Sequence, residues 1–302
     1  MSLLELKHVE KSYGRFKALS DINLSVDNKS IFGLLGPNGA GKTSMIRIIT
    51  KITAADSGEV FLNNEPLRED HSSLIGYMPE ERGLYKKMKV WEQLVYLARL
   101  KGLEKDVAKR KVYEWMDKLN IKDWWNKKVE ELSKGMGQKI QFISTVVHDP
   151  KLIILDEPFS GLDPINANLI QNEIYELKQK GATIIFSTHR MEQVEEICEN
   201  IALIHKGRII LQGNVAEIKN NFKEHVFKVE FEGTSPTLRD EYFPVQQHGP
   251  SSVLLKMNNG ATVRDLLKTL ADQDCHVIGF REILPSLNEI FIKEVTSAKA
   301  HA

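Results

Sequence analysis

The sequence predicts an α/β protein followed by a small α+β domain, and three observations carry that prediction. First, 302 residues, 42% hydrophobic and 27% charged, make a soluble globular composition with length for about two domains. Second, short apolar runs alternate with longer helical stretches from Met1 to about Asn220, the pattern of strands joined by crossover helices. Third, the texture changes after Gly213, where alternating runs replace fully apolar ones.

The first region, about residues 1–220, is built on three runs. Ile31 to Leu35 ends at a glycine-rich loop, Lys151 to Leu155 ends at two acids, and Thr183 to Phe186 ends at Ser187-Thr188-His189. Runs apolar at every position suit strands buried on both faces of a parallel sheet. All three end in polar residues, where open α/β sheets place ligands. Between them, from about residue 86 to 150, the chain turns helix-rich. Trp91, Leu94, Leu97 and Leu100 fall near helical spacing, which predicts a helical insertion.

Residues 221–302 are expected to form the accessory domain. Val226 to Glu232, Ser252 to Met257 and Cys275 to Phe280 read as strands. Thr262, with Asp265 three residues later, is expected to cap a helix carrying Val263, Leu266, Leu267 and Leu270. Ser286 and Glu289 have the same spacing before a last short helix.

Composition also excludes functions. Lys+Arg and Asp+Glu are both 41, so a basic protein that coats nucleic acid is not expected, nor is a nucleic-acid partner, although the balance leaves room for a local basic patch. Cys198 and Cys275 are too few for a disulfide scaffold, which points to a reducing compartment. Glu5 and Lys7 interrupt the apolar core that a signal peptide needs. The run Leu152–Leu155 is far below the about 20 residues that span a bilayer, so a membrane role requires a partner.

Gly36-Pro37-Asn38-Gly39-Ala40-Gly41-Lys42-Thr43 matches G-x-x-x-x-G-K-[ST]. Its glycines let backbone N–H groups turn inward on a phosphate, and the following helix, entered through Ser44, adds its positive end. Lys42 is expected to reach the β- and γ-phosphates and the Thr43 hydroxyl to ligate Mg²⁺. The pattern arises by chance in roughly one chain of this length in a hundred, but here an apolar run precedes it and a helical stretch follows. Asp156 is then expected to hold Mg²⁺ through water, and Glu157 to take a proton from an attacking water.

In combination these motifs resemble the nucleotide-binding subunit of an ATP-binding-cassette (ABC) transporter. Tyr13 stands where that family stacks adenine, and Gly36–Thr43 is its phosphate loop. Leu132-Ser133-Lys134-Gly135-Met136 occupies the place of the LSGGQ signature, Ser160-Gly161-Leu162-Asp163 resembles the loop that crosses between subunits, and His189 matches the switch histidine. The resemblance covers about residues 1–220. It extends weakly to the tail, where Pro285-Ser286-Leu287 through Phe291 is similar to export-type members of the sodium- and drug-efflux-like branch. Two departures stand out. Glu80 occupies the place of a glutamine that ligates the metal, and Lys134 and Met136 replace the usual Gly and Gln.

The resemblance implies an ABC ATPase fold with ATP and Mg²⁺, working as a head-to-tail dimer with a second ABC ATPase subunit. Ser133, Gly135 and Asp163 of one subunit would then face ATP held by the other. It implies integral membrane permease subunits as partners and a cytoplasmic location at the inner face of the membrane. Exposed positions near Leu84-Tyr85 and Val90-Trp91 are expected to receive a helix of that partner, with ordinary subdomain core as the alternative. An exporter is the principal expectation. The alternatives are an importer ATPase with a ligand-sensing C-terminal domain, or a soluble ABC ATPase outside transport.

Overall fold

Complete burial decides the centre of the larger of two compact units, Met1–Val215 and Ala216–Ala302, in the computed structural model. The structure describes residues 1–300 apart from Arg82 and Asp274, with side chains through Thr296. In chain order the first unit contains β1 (Ser2–Tyr13), β2 (Phe16–Asp27), β3 (Ile31–Leu35), α1 (Lys42–Ile49), β4 (Ser57–Leu62), β5 (Glu65–Pro66) and β6 (Ile75–Met78). The helices α2 (Val90–Leu100), α3 (Lys105–Lys118) and α4 (Lys134–Val146) follow. The unit finishes with β7 (Leu152–Asp156), α5 (Pro164–Gln179), β8 (Thr183–Thr188), α6 (Met191–Ile197), β9 (Asn200–His205) and β10 (Arg208–Asn214).

Strands β3, β7 and β8 are buried at every position. They lie inside a six-stranded sheet of order β10-β9-β3-β8-β7-β6, parallel except for the β10 edge. Each fully buried Leu or Ile contributes about 1.5–3 kcal/mol. The run Leu152–Leu155 therefore holds β7 firmly in the layer and fixes where Asp156 emerges. An antiparallel sheet of order β2-β1-β4-β5 covers the core on another side.

The long β1–β2 hairpin is not legible in the sequence. Bulges shift its register between Leu6 and Val9 and again before Lys11, and His8 and Asp21 take left-handed backbone, so simple alternation breaks. Tyr13 is the last residue of β1. A second difference concerns the expected partner surface. Val90 is buried, with 0% exposure, and Trp91 is half-buried against Trp125, whereas Tyr85, Tyr96 and Leu100 are exposed.

The second unit runs from the helix α7 (Val215–Asn221) through β11 (Val226–Gly233), β12 (Val245–His248), β13 (Ser252–Lys256), α8 (Val263–Ala271), β14 (Cys275–Ile283) and α9 (Leu287–Ala300). Its antiparallel sheet has the order β12-β13-β11-β14. Strand β12 (VQQH) is too polar to read as a strand and is mostly exposed. Both expected caps form. Asp265 N donates to Thr262 Oγ1 at 3.3 Å and Thr262 N to Asp265 Oδ2 at 2.9 Å; Ser286 and Glu289 repeat the exchange at 2.7 and 3.2 Å. Leu266 and Leu270 of α8 pack on Phe227, Val229 and Phe231 of the sheet. Among the described residues no helix is long and apolar enough to cross a membrane.

Helix α4 and strand β6 approach so closely that only glycine fits at position 76, where a Cβ would lie 2.2 Å from the Thr145 carbonyl oxygen. Gly76→Ala should therefore destabilise the protein by about 1–3 kcal/mol through backbone displacement, read as a lowered denaturation midpoint. A midpoint equal to the parent's would show that this contact is slack.

Candidate nucleotide-binding site

The phosphate loop leaves the end of β3 at Gly36, whose φ of 150° and whose missing Cβ, 2.3 Å from the Ile204 carbonyl, exclude any side chain. Gly41 (φ 117°) is the N-cap residue of α1. It offers no side-chain acceptor, and the first turn holds no acid. The opening N–H groups of α1 are therefore available to an anion. The loop is anchored from behind, with Gly207 N donating to Ala40 O and Ser20 N to Gly207 O, both at 2.8 Å.

Lys42 is 8% exposed, and its Nζ donates to Gly36 O at 2.6 Å and Pro37 O at 3.1 Å. Burial pulls its pKa below the ordinary value, against the opposing charges of Asp156, Glu157 and Glu80. Asp156 ends β7 beside Ser187 of β8 and accepts a hydrogen bond from Ser187 Oγ at 2.7 Å. Burial nevertheless raises its pKa.

Glu157, next in sequence, takes left-handed backbone (φ 51°), tied by its N–H to Ser187 O at 2.9 Å. Both its carboxylate oxygens are held. Thr188 Oγ1 donates to Oε2 at 3.0 Å, His189 N donates to Oε1 at 2.9 Å, and His189 Nδ1 lies 2.6 Å from Oε1. With the carboxylate ionised, Nδ1 carries the proton.

A cleft of about 300 Å³ unites most of the expected residues. Asn38 through Ser44 supply its phosphate-loop wall, and Glu80, Asp156, Glu157, Phe16 and Ala18 complete the lining. Gly36 and Pro37 support this wall as the acceptors of Lys42. Tyr13 is outside the cleft lining. It pairs with Phe16 across the hairpin, 42% exposed, with Lys11 Nζ 5.6 Å above its ring. Phe16 is 63% exposed, and its aromatic character at the cleft edge was the sequence signal that went unread.

Ser133, Gly135 and Asp163 are also outside this cleft lining. Ser133 caps α4, accepting from Met136 N at 3.2 Å, and Asp163 caps α5, accepting from Asn166 N at 3.0 Å. Two buried glutamines of α4 went unremarked in the sequence. Gln138 Nε2 donates to the carbonyls of Glu157 and Pro158 at 3.3 and 2.9 Å, and Gln141 Nε2 to Pro79 O at 2.6 Å. Their spacing of three, with Thr145 four residues on along the same face, is the hint the sequence offers.

Among the described residues no three His, Cys, Asp or Glu side chains converge into a self-sufficient metal site. Mg²⁺ takes one or two protein oxygens and completes its shell with phosphate and water. Thr43, Asp156 and Glu80 offer hydroxyl and carboxylate oxygens to the same cleft, a hard-donor set that fits this ion.

The raised pKa of Asp156 carries a stability consequence. Above the ordinary value of 3.8 the unfolded chain releases this proton while the native state retains it longer, so stability falls as pH rises from 3.8 through the raised native value. Asp156→Asn, which keeps an oxygen for Ser187 Oγ, should raise the denaturation midpoint near neutral pH, with the gain vanishing below pH 3.8. A lowered midpoint at neutral pH would contradict this reading of the buried carboxylate.

Comparison with known proteins gives the family. The family described as ABC transporter matches residues 19–160, and the family described as ATP-binding protein DrrA1-3-like, C-terminal domain, matches residues 213–295. The first match stops short of Tyr13, Phe16, Asp163 and His189. The uncharacterized ABC transporter ATP-binding protein YhaQ of Bacillus subtilis (strain 168) is 43% identical over 294 residues, 97% of this chain and 98% of that protein. The linearmycin resistance ATP-binding protein LnrL of the same organism is 31% identical over 72% of this chain and 70% of its own length. A solved ATP-binding subunit of an ABC transporter superposes with a TM-score of 0.69 at 29% identity, covering 73% of this chain and 93% of that one. The chain thus belongs to the ABC transporter ATP-binding family, as an ATPase that forms the ATP-binding subunit of an ABC transporter.

Proposed function

We propose that Glu157 is the base of Mg²⁺-dependent ATP hydrolysis and that the ATP-driven closure of two cassettes powers export. The observation that carries the proposal is the three-point grip on the Glu157 carboxylate by Thr188 and His189, at the mouth of the phosphate-loop cleft. A carboxylate fixed at both oxygens is oriented before substrate arrives, which removes an entropic cost from proton transfer.

In this reading the amides of Gly39 to Thr43 and the Lys42 ammonium take up the charge of the β- and γ-phosphates. On binding, Lys42 exchanges the carbonyls of Gly36 and Pro37 for phosphate oxygens. Glu157 accepts a proton from the water that attacks the γ-phosphorus in line, and the bond to the β-phosphate oxygen breaks to leave ADP and phosphate. His189 holds the carboxylate through its backbone N–H and its Nδ1–H. Mg²⁺, when bound, neutralises phosphate charge, with Thr43, Asp156 and Glu80 as the residues that would hold it. Phe16 joins Tyr13 as a candidate adenine platform.

Ser133, Gly135 and Asp163 act across a dimer in this proposal; within one chain Ser133 and Asp163 cap helices and Gly135 lies in the first turn of α4. Met1–Val215 is the nucleotide-binding domain and the remainder an accessory domain. A second groove, about 740 Å³, is bordered by Ile52, Leu84, Leu97 and Leu100 and also reaches Glu80 and Asp156. Ile52 and Leu100 are 61% and 65% exposed. This groove is the proposed seat of a permease segment, which would hold the protein at the inner membrane face. The likeness to a linearmycin resistance protein supports export as the direction.

Glu157→Gln tests the central assignment. It should retain ATP affinity, lose about 10²–10⁴-fold in turnover, and elute as an ATP-bound dimer in size-exclusion chromatography. Hydrolysis at the parent rate would refute Glu157 as the base.

A further inference from the structure

The helical segment has a charge and an aromatic content unlike the rest of the chain. Residues 86–128 hold 13 Lys+Arg against 6 Asp+Glu, a net +7 in a chain whose total is zero. The same segment holds all four tryptophans, Trp91, Trp115, Trp124 and Trp125.

The fold gathers part of this into one surface. Helix α3 presents Lys109, Arg110 and Tyr113 at helical spacing, with Asp106 the acid on that face, around an open hollow of about 490 Å³ closed by Trp125. Trp125 stacks on Trp91, ring centres 5.9 Å apart and planes 8° from parallel, and Tyr113 meets Trp125 edge-on at 5.8 Å. Lys109 Nζ lies 5.9 Å over the Trp91 ring and Lys122 Nζ 4.9 Å over Tyr113. Tyr113 is 50% exposed, and Lys109 and Arg110 are exposed beside it.

Other cations of the segment have structural work. Lys118 pairs with Glu173 and Glu176, and Lys111 with Asp149. Lys105 and Lys109, by contrast, form no ion pair among the described residues, and Arg110 meets only Glu114 at 3.8 Å. Lys122 pairs with Asp117 at 2.6 Å, so the cations left for an outside partner are Lys105, Lys109 and the loosely paired Arg110, and beside amphipathic rings they match an interface with anionic groups outside and apolar matter beneath. Indole and phenol rings settle at that level, while lysine and arginine stems lie along them and extend their charges outward. A nucleic acid fits less well. Trp91 and Trp125 spend their facing surfaces on each other and Lys109 sits over Trp91, so little ring face remains for a base to stack on.

We propose that the α3–Trp125 face binds anionic phospholipid headgroups of the bilayer directly, without the permease. Helix α2 also contributes Leu97 and Leu100 to the groove proposed above for the permease, so one helix serves both surfaces. This inference is independent of the catalytic assignment, because the face lies outside the nucleotide cleft.

The test uses the full chain without permease, mixed with vesicles of phosphatidylcholine or of equal parts phosphatidylcholine and phosphatidylglycerol. Since every tryptophan lies between residues 91 and 125, intrinsic emission reports on this segment. The expected result is co-sedimentation and a blue shift with the anionic vesicles only, reversed at about 1 M salt, where the Debye length is about 3 Å. The combined variant Lys105→Gln, Lys109→Gln, Arg110→Gln should partition about a hundredfold less, at roughly a factor of five per cation, with ATP affinity unchanged. Tyr113→Ser should abolish the blue shift more than the electrostatic attraction. Equal binding to neutral vesicles, no binding to either, or parental partitioning of the triple variant would each overturn the proposal. So would the same emission shift with single-stranded RNA and none with vesicles.

Discussion

The site depends on one buried ammonium facing three carboxylates. Lys42 has Asp156, Glu157 and Glu80 as the charges that oppose its desolvation, and the cleft they share carries more negative than positive charge. Around the buried Lys42 and Asp156, which water screens poorly, such an imbalance is costly. The protein relieves it locally with hydroxyl and amide donors, from Ser187 to Asp156 and from Thr188 and His189 to Glu157. Among the described residues no second Lys or Arg lines that cleft. The remaining deficit suits a ligand that brings phosphates together with a divalent ion, and it disfavours phosphates alone.

Geometry around α4 extends that constraint beyond the cleft. The helix begins at the Ser133 cap and sends Gln138 to the carbonyls of Glu157 and Pro158, Gln141 to Pro79, and Thr145 Oγ1 to Tyr77 O at 3.4 Å. It thus touches the segment before Glu80 and the segment after Asp156 by side chains three and four residues apart. Gly76 lets it lie against β6 with no intervening Cβ. Gln138 and Gln141 thus tie α4 to both acid-bearing loops.

Much of this was legible in the sequence where burial is total. Ile31–Leu35, Leu152–Leu155 and Thr183–Phe186 are apolar at each position, so strand, layer and the polar residues at their ends follow from the pattern alone. Capping boxes at Thr262 and Ser286 were equally plain, because cap chemistry is local. The β1–β2 hairpin was hidden by bulges and left-handed residues, and β12 by its polarity, since long-range pairing and not alternation holds them. Phe16 was missed for the same reason: it reaches the cleft only through the hairpin that pairs it with Tyr13. Gln138 and Gln141 bond to carbonyls about 20 and 60 residues away, contacts that no local spacing encodes.

Glu80 is where the account is most exposed. It borders both the nucleotide cleft and the groove beside it, and its charge adds to the desolvation that raises the Asp156 pKa. The decisive measurement is ATP affinity with and without Mg²⁺, for the parent and for Glu80→Gln. The account predicts that Mg²⁺ tightens ATP binding by at least about tenfold, or 1.4 kcal/mol, and that the metal effect shrinks in the variant because metal-free ATP meets one carboxylate fewer. Equal metal dependence in the two proteins, or parent affinity indifferent to Mg²⁺, would contradict it.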